Sequence, residues 1–149
     1  MANNYRQFSS ALEFTKGREA IEKKWCEDRL ALLERTTSSP DGDVVGEDEE
    51  IERYESRADF TSVVGEYQVW FSAEESGNVE HIADFVQEFL AKFRPKGCWS
   101  MTWADTCSKA RLDEFSGGGV FVTATGQKWV EAGNWCYQET EKFNKVKGK

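Results

Sequence analysis

The chain has 149 residues, of which 39% are hydrophobic and 13% aromatic, and its formal net charge is −8. This length and apolar content predict a single domain over 1–149 with its own core, and they exclude a wholly disordered chain. No apolar run approaches the roughly 18 residues that span a bilayer, and the N-terminus lacks the basic and apolar regions of a signal peptide. We therefore expect a cytoplasmic protein with no membrane partner.

The first predicted elements are a strand and a helix. Over 6–14, Phe8, Leu12 and Phe14 alternate with polar residues, which indicates a strand with one apolar face. A helix is predicted over 18–35, with Ile21, Trp25, Leu32 and Leu33 on its apolar side and Glu22, Lys23 and Glu27 on its polar side. The proline and glycine that follow end this helix.

An acidic segment comes next and carries nearly all of the net charge. Between Asp41 and Asp59 there are nine acidic and two basic residues. We expect an exposed insertion at about 37–59, because a charge block of this kind is usually solvated. Spaced carboxylates can substitute for phosphates in a groove lined by lysine and arginine, since both accept the same donors. The candidate partner-binding residues are Glu47, Asp48, Glu49, Glu50, Glu52 and Glu55.

Two other interpretations of the insertion stay open. It is either a solvated loop that keeps the protein soluble, or a calcium site. Asp41-Gly42-Asp43 lacks the ligand order of an EF-hand loop, which argues against calcium.

The middle of the chain predicts a hairpin and a second helix. The runs 60–64 and 68–72 flank Gly65-Glu66, which is typical of a β-hairpin. Asn78 or Ser76 can cap the helix that follows. Its apolar residues repeat at helical period and form one stripe: Val79, Ile82, Phe85, Val86, Phe89, Leu90 and Phe93.

Two further strands are predicted over 98–104 and 119–124, separated by a long loop over 105–118. A helical tail from Trp135 ends in a basic cluster at about 138–149. The order β-α-β-β-α-β-β predicts an α+β fold with a ferredoxin-like split βαβ arrangement and an extra C-terminal antiparallel strand. We expect about five strands, with two helices on one sheet face and the other face open.

Three residues invite a catalytic interpretation. His81 lies near several carboxylates and could act as a general base, although a surface histidine outside the apolar stripe is favoured. Cys107 lies near Lys109, which could stabilise a thiolate, but no histidine base is placed beside it and an idle thiol is favoured. The four cysteines are expected to be free thiols. We expect no metal and no cofactor, because the only histidine has no closely spaced ligand partner.

Aromatic residues offer a further hypothesis. Tyr5, Trp70 and Phe121 could form a stacking platform on the open sheet face, as in RNA-recognition domains. The acidic charge of the chain opposes phosphate binding, so direct nucleic-acid binding is not expected. Trp129 and Trp135 are predicted either to cover the open face or to meet a partner.

Two groups of motifs resemble a known family. They are Glu74-Glu75-Ser76-Gly77-Asn78-Val79-Glu80-His81, and Trp103-Ala104-Asp105-Thr106-Cys107-Ser108-Lys109 followed by Gly117-Gly118-Gly119-Val120-Phe121-Val122. They resemble those of small acidic proteins encoded by phages, plasmids and other mobile elements. That family has no established activity, so no catalytic residue is carried over. The resemblance implies only a biological context. Small acidic proteins of mobile elements are often antagonists of host defence.

Together these observations favour a non-enzymatic interaction protein that binds a basic surface of a host defence or nucleic-acid-handling protein. One alternative is a small enzyme or ligand-binding domain that uses the loop 105–118 and the helix start at 74–81. The other is a single-strand RNA binder that uses the open sheet face.

Overall fold

A computed structural model describes residues 4–37, 60–112 and 114–147. The acidic insertion from residue 38 onward, with its six candidate partner-binding residues, lies outside the described residues. The elements in chain order are β1 (Asn4–Glu13), α1 (Glu19–Thr37), β2 (Thr61–Val64), β3 (Gln68–Ala73), α2 (Val79–Phe93), β4 (Cys98–Cys107), β5 (Ser116–Thr123), β6 (Gly126–Glu131) and α3 (Ala132–Lys147).

The strands form one antiparallel sheet in the order β2-β3-β1-β4-β5-β6. The predicted α+β class is therefore confirmed, as a six-stranded antiparallel sheet with three helices. The prediction of about five strands is wrong, because β6 adds a sixth. The strand order of the whole sheet also differs from that of the predicted ferredoxin-like arrangement with one extra strand.

The end of the chain departs most from the prediction. β6 follows β5 after the two-residue turn Ala124-Thr125, which lacks the Asn-Gly or Asp-Gly signal of tight hairpins. β4 continues to Cys107 and β5 begins at Ser116, so the predicted loop 105–118 is reduced to residues 108–115. α3 begins directly after Glu131, and the basic residues of the predicted tail lie on it as far as Lys147.

The core lies between the sheet and the helices α1 and α2. The predicted apolar stripe of α2 is buried from Val79 to Leu90, as expected from its period. Trp25 of α1 contacts Phe85 and Phe89 of α2, with ring centroids 5.5 and 5.8 Å apart. Both helices therefore cover the same sheet face. The strands contribute Leu12, Val69, Phe71, Met101, Val120 and Val122 to this core.

The side predicted for α1 is right for Leu33, which is buried, and for Trp25 and Leu32, which pack against the core, but it is wrong for Ile21 and Glu22. Ile21 is 60% exposed, whereas Glu22 is completely buried, on the same side as Cys26 and Leu30. Glu22 Oε1 accepts a hydrogen bond of 2.7 Å from the backbone N–H of Thr15 and lies 3.9 Å from Nη2 of Arg94. One hydrogen bond and one nearby cation partly compensate the burial of this carboxylate, whereas its Oε2 is buried with no hydrogen-bond partner among the described residues. The carboxylate thus ties the start of α1 to the ends of β1 and α2.

The opposite sheet face is left open by α1 and α2. We call it the open face, and most of its side chains are exposed. Strand pairing assigns to it Thr61, Val63, Gln68, Trp70, Ser72, Tyr5, Gln7, Ser9, Ala11, Glu13, Cys98, Ser100, Thr102, Ala104, Thr106, Gly117, Gly119, Phe121, Thr123, Gly126, Lys128 and Val130.

Within the described part of the chain, no helix has both the length and the apolar character that crossing a membrane requires.

Replacing Glu22 with alanine should lower the free energy of unfolding by roughly 2–3 kcal/mol, because it removes a charged acceptor from a buried N–H donor. The exposed Glu27 on the same helix is the matched control. Its replacement by alanine should change stability by less than about 0.5 kcal/mol. Urea unfolding followed by circular dichroism measures both values, and equal effects would contradict the assigned role of Glu22.

Candidate functional site

A cleft with aromatic walls and an acidic rim lies where β4, β6 and the start of α2 meet. Its aromatic walls are Trp103 of β4 and Trp129 of β6, whose ring centroids are 5.9 Å apart with a 59° angle between the planes. The cavity has a volume of about 280 Å³. We call it the carboxylate cleft, and its acidic lining residues are Glu80, Asp84 and Glu131.

The alternation of side chains along the strands brings the two tryptophans together. Trp129 pairs with Val120 of β5, and Val120 pairs with Met101 of β4, so these three side chains point to the helix-covered face. Trp103 follows Met101 by two residues and therefore points to the same face. Gly118 lies between the tryptophan-bearing strands. A Cβ at Gly118 would lie 2.5 Å from Cζ2 of Trp103, so the indole can occupy this place only beside glycine.

A side-chain network fixes the orientation of Trp129. Its Nε1 donates to Oε1 of Gln127 at 3.2 Å, and Nε2 of Gln127 donates to Asp84 at 2.9 Å and to Gln87 at 2.8 Å. Asp84 and Gln87 belong to α2, so this network also joins the edge strand β6 to that helix. Trp129 therefore lies on the helix-covered side, and the prediction that it could cover the open face is wrong.

Arg6 of β1 lies between two cavities and lines both of them. Its Nε donates to Oδ1 of Asp105 at 2.7 Å and its Nη2 donates to Oδ2 at 3.2 Å. The hydrogen bond with Asp105 raises the pKa of Arg6, with smaller contributions from the charges of Asp105, Glu131 and Glu80, while burial opposes the increase. The guanidinium carbon lies 5.4 Å from the ring centroid of Trp103. Because Asp105 already pairs with Arg6, the three carboxylates of the cleft leave an excess of negative charge.

Trp103 has one hydrogen-bonding group without a partner. The side chain is only 6% exposed, and its Nε1 is buried with no acceptor in the described part of the structure. Buried N–H groups are nearly always paired, so the Nε1–H of Trp103 is an unpaired donor in the wall of the cleft.

A second cavity lies on the other side of Arg6. We call it the loop cleft; its volume is about 380 Å³, and Tyr5, Ser76, Thr106, Glu114 and Ser116 are among its lining residues. The backbone N–H of Arg6 donates to the carbonyl of Glu75 at 2.8 Å, which holds the approach to α2 against β1. The two segments predicted to form a ligand site, 74–81 and 105–118, therefore do lie together.

The predicted catalytic candidates are dispersed. His81 is 9% exposed, so the prediction of a surface histidine is wrong; its ring lies in the first turn of α2, whose cap is Asn78. Cys107 is buried at the end of β4, whereas Lys109 and Arg111 are exposed in the loop that follows. Among the described residues, no group of three or more His, Cys, Asp or Glu side chains is placed to hold a metal ion.

The three aromatic residues proposed for stacking all lie on the open face. Trp70 is 42% and Phe121 38% exposed. Trp70 pairs with Ala11 of β1, six residues along the strand from Tyr5, so the three rings do not form a contiguous platform. On the open face Lys128 is the sole basic residue among those described.

Sequence reasoning missed the carboxylate cleft because β6 was not recognised. The signal that could have found it is the alternation of Gln127, Trp129 and Glu131 with Lys128 and Val130, which is the period of a strand. β6 lies beside the start of α2 only because of the order of the strands in the sheet, and no local sequence pattern predicts that order.

Comparison of the chain with protein-family models, curated proteins and solved structures gave no significant match. The resemblance to the family of small acidic proteins of mobile elements therefore stays a hypothesis.

Thiol labelling tests the burial of the cysteines. Cys98 and Cys136 are exposed, whereas Cys26 and Cys107 are buried. Burial, followed by the charge of Glu22, raises the pKa of Cys26 to about 12. At about pH 8 its thiol is almost fully protonated, and the thiolate is the reactive form. We expect two rapid maleimide additions by intact-mass spectrometry in the native protein and four in denaturant. A third rapid addition in the native protein would contradict this assignment.

Proposed function

We propose that this protein is a non-enzymatic interaction protein that binds a basic surface of another protein and acts by occluding it. The observation that carries the proposal is the carboxylate cleft, where Glu80, Asp84 and Glu131 surround two indole rings. Carboxylates bind arginine and lysine through charge-assisted hydrogen bonds, and the face of a tryptophan attracts the same cations. The expected ligand is therefore a guanidinium or ammonium side chain on a protein surface.

The internal contact between Arg6 and Trp103 supports this assignment. It places a guanidinium 5.4 Å from the centroid of one indole, with a carboxylate at its edge. Trp129 is 40% exposed and has Glu131 two residues away on the same side of β6. A cation from a partner can use Trp129 and Glu131 as Arg6 uses Trp103 and Asp105.

The identity of the partner is proposed on sequence grounds. The resemblance to proteins of phages and other mobile elements motivates a host defence or nucleic-acid-handling protein, with the cytoplasm as the place of action. Such proteins present basic grooves for phosphate, which acidic surface can occupy. The acidic insertion belongs to the same proposal, with Glu47, Asp48, Glu49, Glu50, Glu52 and Glu55 as its contact residues.

A small-molecule site is the second candidate function. It is favoured by the loop cleft, where the segments 74–81 and 105–118 enclose about 380 Å³ beside the ion pair of Arg6 and Asp105. A polar ligand with an anionic group would meet Arg6 but also Glu114 and Glu75. The acidic lining makes this candidate weaker than protein binding. The RNA-binding candidate has less support, since the open face offers phosphates only Lys128 among the described residues.

We further propose that β1 to β4, with α1 and α2, form a ferredoxin-like split βαβ unit to which β5, β6 and α3 are added. This is supported by the position of β1 between β3 and β4, antiparallel to both, and by the pairing of β2 with β3. The function proposed above does not depend on this relationship.

Neutralising the cleft tests the proposed function. The variant combining Glu80→Gln, Asp84→Asn and Glu131→Gln should weaken binding to a basic partner at least about tenfold, because amides cannot replace the charge of the carboxylates. The partner is first captured from a bacterial lysate and identified by mass spectrometry, and its dissociation constant is then measured by calorimetry. A second variant replaces Glu47, Asp48, Glu49, Glu50 and Glu52 with amides and tests the insertion separately.

The matched control combines Glu27→Gln, Glu66→Gln and Glu141→Gln, which removes the same charge from exposed positions elsewhere. If the control weakens binding as much as the cleft variant, only net charge matters and the site assignment is wrong. Full binding by both the cleft and insertion variants would reject the proposal. If replacing His81 or Cys107 alone abolished activity in a phage-protection assay without unfolding the protein, an enzyme would be indicated instead.

A further inference from the structure

The open face is unusually poor in charge for this protein. Charged residues make up 31% of the chain, yet among the strand residues described on the open face they are only Glu13, at the end of β1, and Lys128, on the edge strand β6. Most side chains at its centre are small, namely Ser9, Ser72, Ser100, Thr102 and Ala104 with the glycines of β5, and Gln7 is the larger exception opposite Ala104. Small uncharged side chains permit a second sheet to approach to the usual distance of about 10 Å.

Two exposed aromatic side chains occupy equivalent places on this face. Trp70 belongs to β3 and Phe121 to β5, each the second strand from its edge of the sheet. Trp70 pairs with Ala11 and Phe121 pairs with Ser100. β1 and β4 pair from Asn4↔Cys107 to Gln7↔Ala104, and this register, continued along both strands, sets Ala11 opposite Ser100. There the carbonyl of Ala11 accepts a hydrogen bond of 2.9 Å from the indole Nε1 of Trp99. The two aromatic side chains are therefore at one level, on either side of the line between β1 and β4.

This arrangement is self-complementary under a two-fold rotation. The rotation axis runs parallel to the strands and lies above the midpoint of the sheet, between β1 and β4. A rotation of 180° about it places β3 of one copy over β5 of the other and leaves the position of each residue along the strand direction unchanged. Trp70 then faces Phe121 of the second copy, and the same contact occurs a second time by symmetry. Closed two-fold dimers are the most common assemblies of identical chains, and their interfaces have this property.

We propose that the open face binds a second copy of the chain, forming a face-to-face dimer in which Trp70 and Phe121 are the main contacts. Charge favours this occupant, because two copies that each carry −8 can approach closely only through a surface nearly free of charge. The six strands are four to ten residues long. At about 3.3 Å per residue and about 4.8 Å between strands, their facing parts give roughly 600 Å² per copy in projection. The total of roughly 1,200 Å² reaches the lower limit of specific interfaces. This inference does not depend on the proposed function.

Analytical ultracentrifugation of the full chain tests the dimer. At concentrations up to about 100 μM the protein should approach twice the chain mass of 17.0 kDa. The double variant Trp70→Ala with Phe121→Ala should raise the dissociation constant at least about tenfold, since aromatic residues at the centre of an interface dominate its energy. Thr102→Glu, which places a charge at the centre of the face, should have the same effect. Circular dichroism confirms that both variants stay folded.

A control on α3 separates this dimer from association through the exposed terminal helix. Phe143, which is 65% exposed on α3, is replaced by serine, and the dimer should persist. A mass of one chain at every concentration would overturn the proposal. A dimer that survives both open-face variants, or that dissociates only with Phe143→Ser, would also overturn it. Added salt should not weaken the dimer, because it screens the repulsion between acidic copies; strong weakening by salt would point instead to a charged interface and would contradict the proposal.

Discussion

The position of β1 between β3 and β4 is the constraint from which both surfaces of this protein follow. β1 pairs with β4 over Asn4–Gln7 and with β3 over Phe8–Glu13, so its side chains alternate between the helix-covered face and the open face along the whole strand. Arg6, Phe8 and Leu12 are directed toward the helices, while Tyr5, Ser9 and Ala11 are directed away. The covered side of β1 thus carries a cation at one end of an apolar row, and the open side carries the small residues Ser9 and Ala11 between larger ones.

The cation on the covered side determines the arrangement around it. Arg6 is only partly exposed, so its charge requires a partner, and the paired strand β4 supplies Asp105 directly opposite. Its backbone N–H holds the segment before α2, and its guanidinium lies against Trp103. Both cavities therefore share a wall that is held by one ion pair. Glycine at position 118 completes the arrangement, because any side chain there would displace the indole of Trp103.

What the sequence predicted depends on how local the responsible interaction is. The stripe from Val79 to Leu90 repeats at helical period within one segment, so α2 and its buried side were predicted correctly. The burial of Glu22 on α1 was not predicted, because its carboxylate is held by Thr15 and by Arg94, which is distant in sequence. β6 was missed because its turn lacks a strong sequence signal. The carboxylate cleft combines side chains of β4, β6 and α2, so it exists only once the strand order is known, and the single-residue candidates His81 and Cys107 gave no indication of it.

The closeness of Trp103 and Trp129 has a spectroscopic consequence. Two indole chromophores 5.9 Å apart and inclined by 59° are near enough for their electronic transitions to couple, which produces an exciton couplet in the ultraviolet circular dichroism spectrum. The sign and size of such a couplet depend on the angle between the rings. The cleft therefore carries its own optical reporter, and a ligand that moves Trp129 by a few degrees becomes visible in the unlabelled protein.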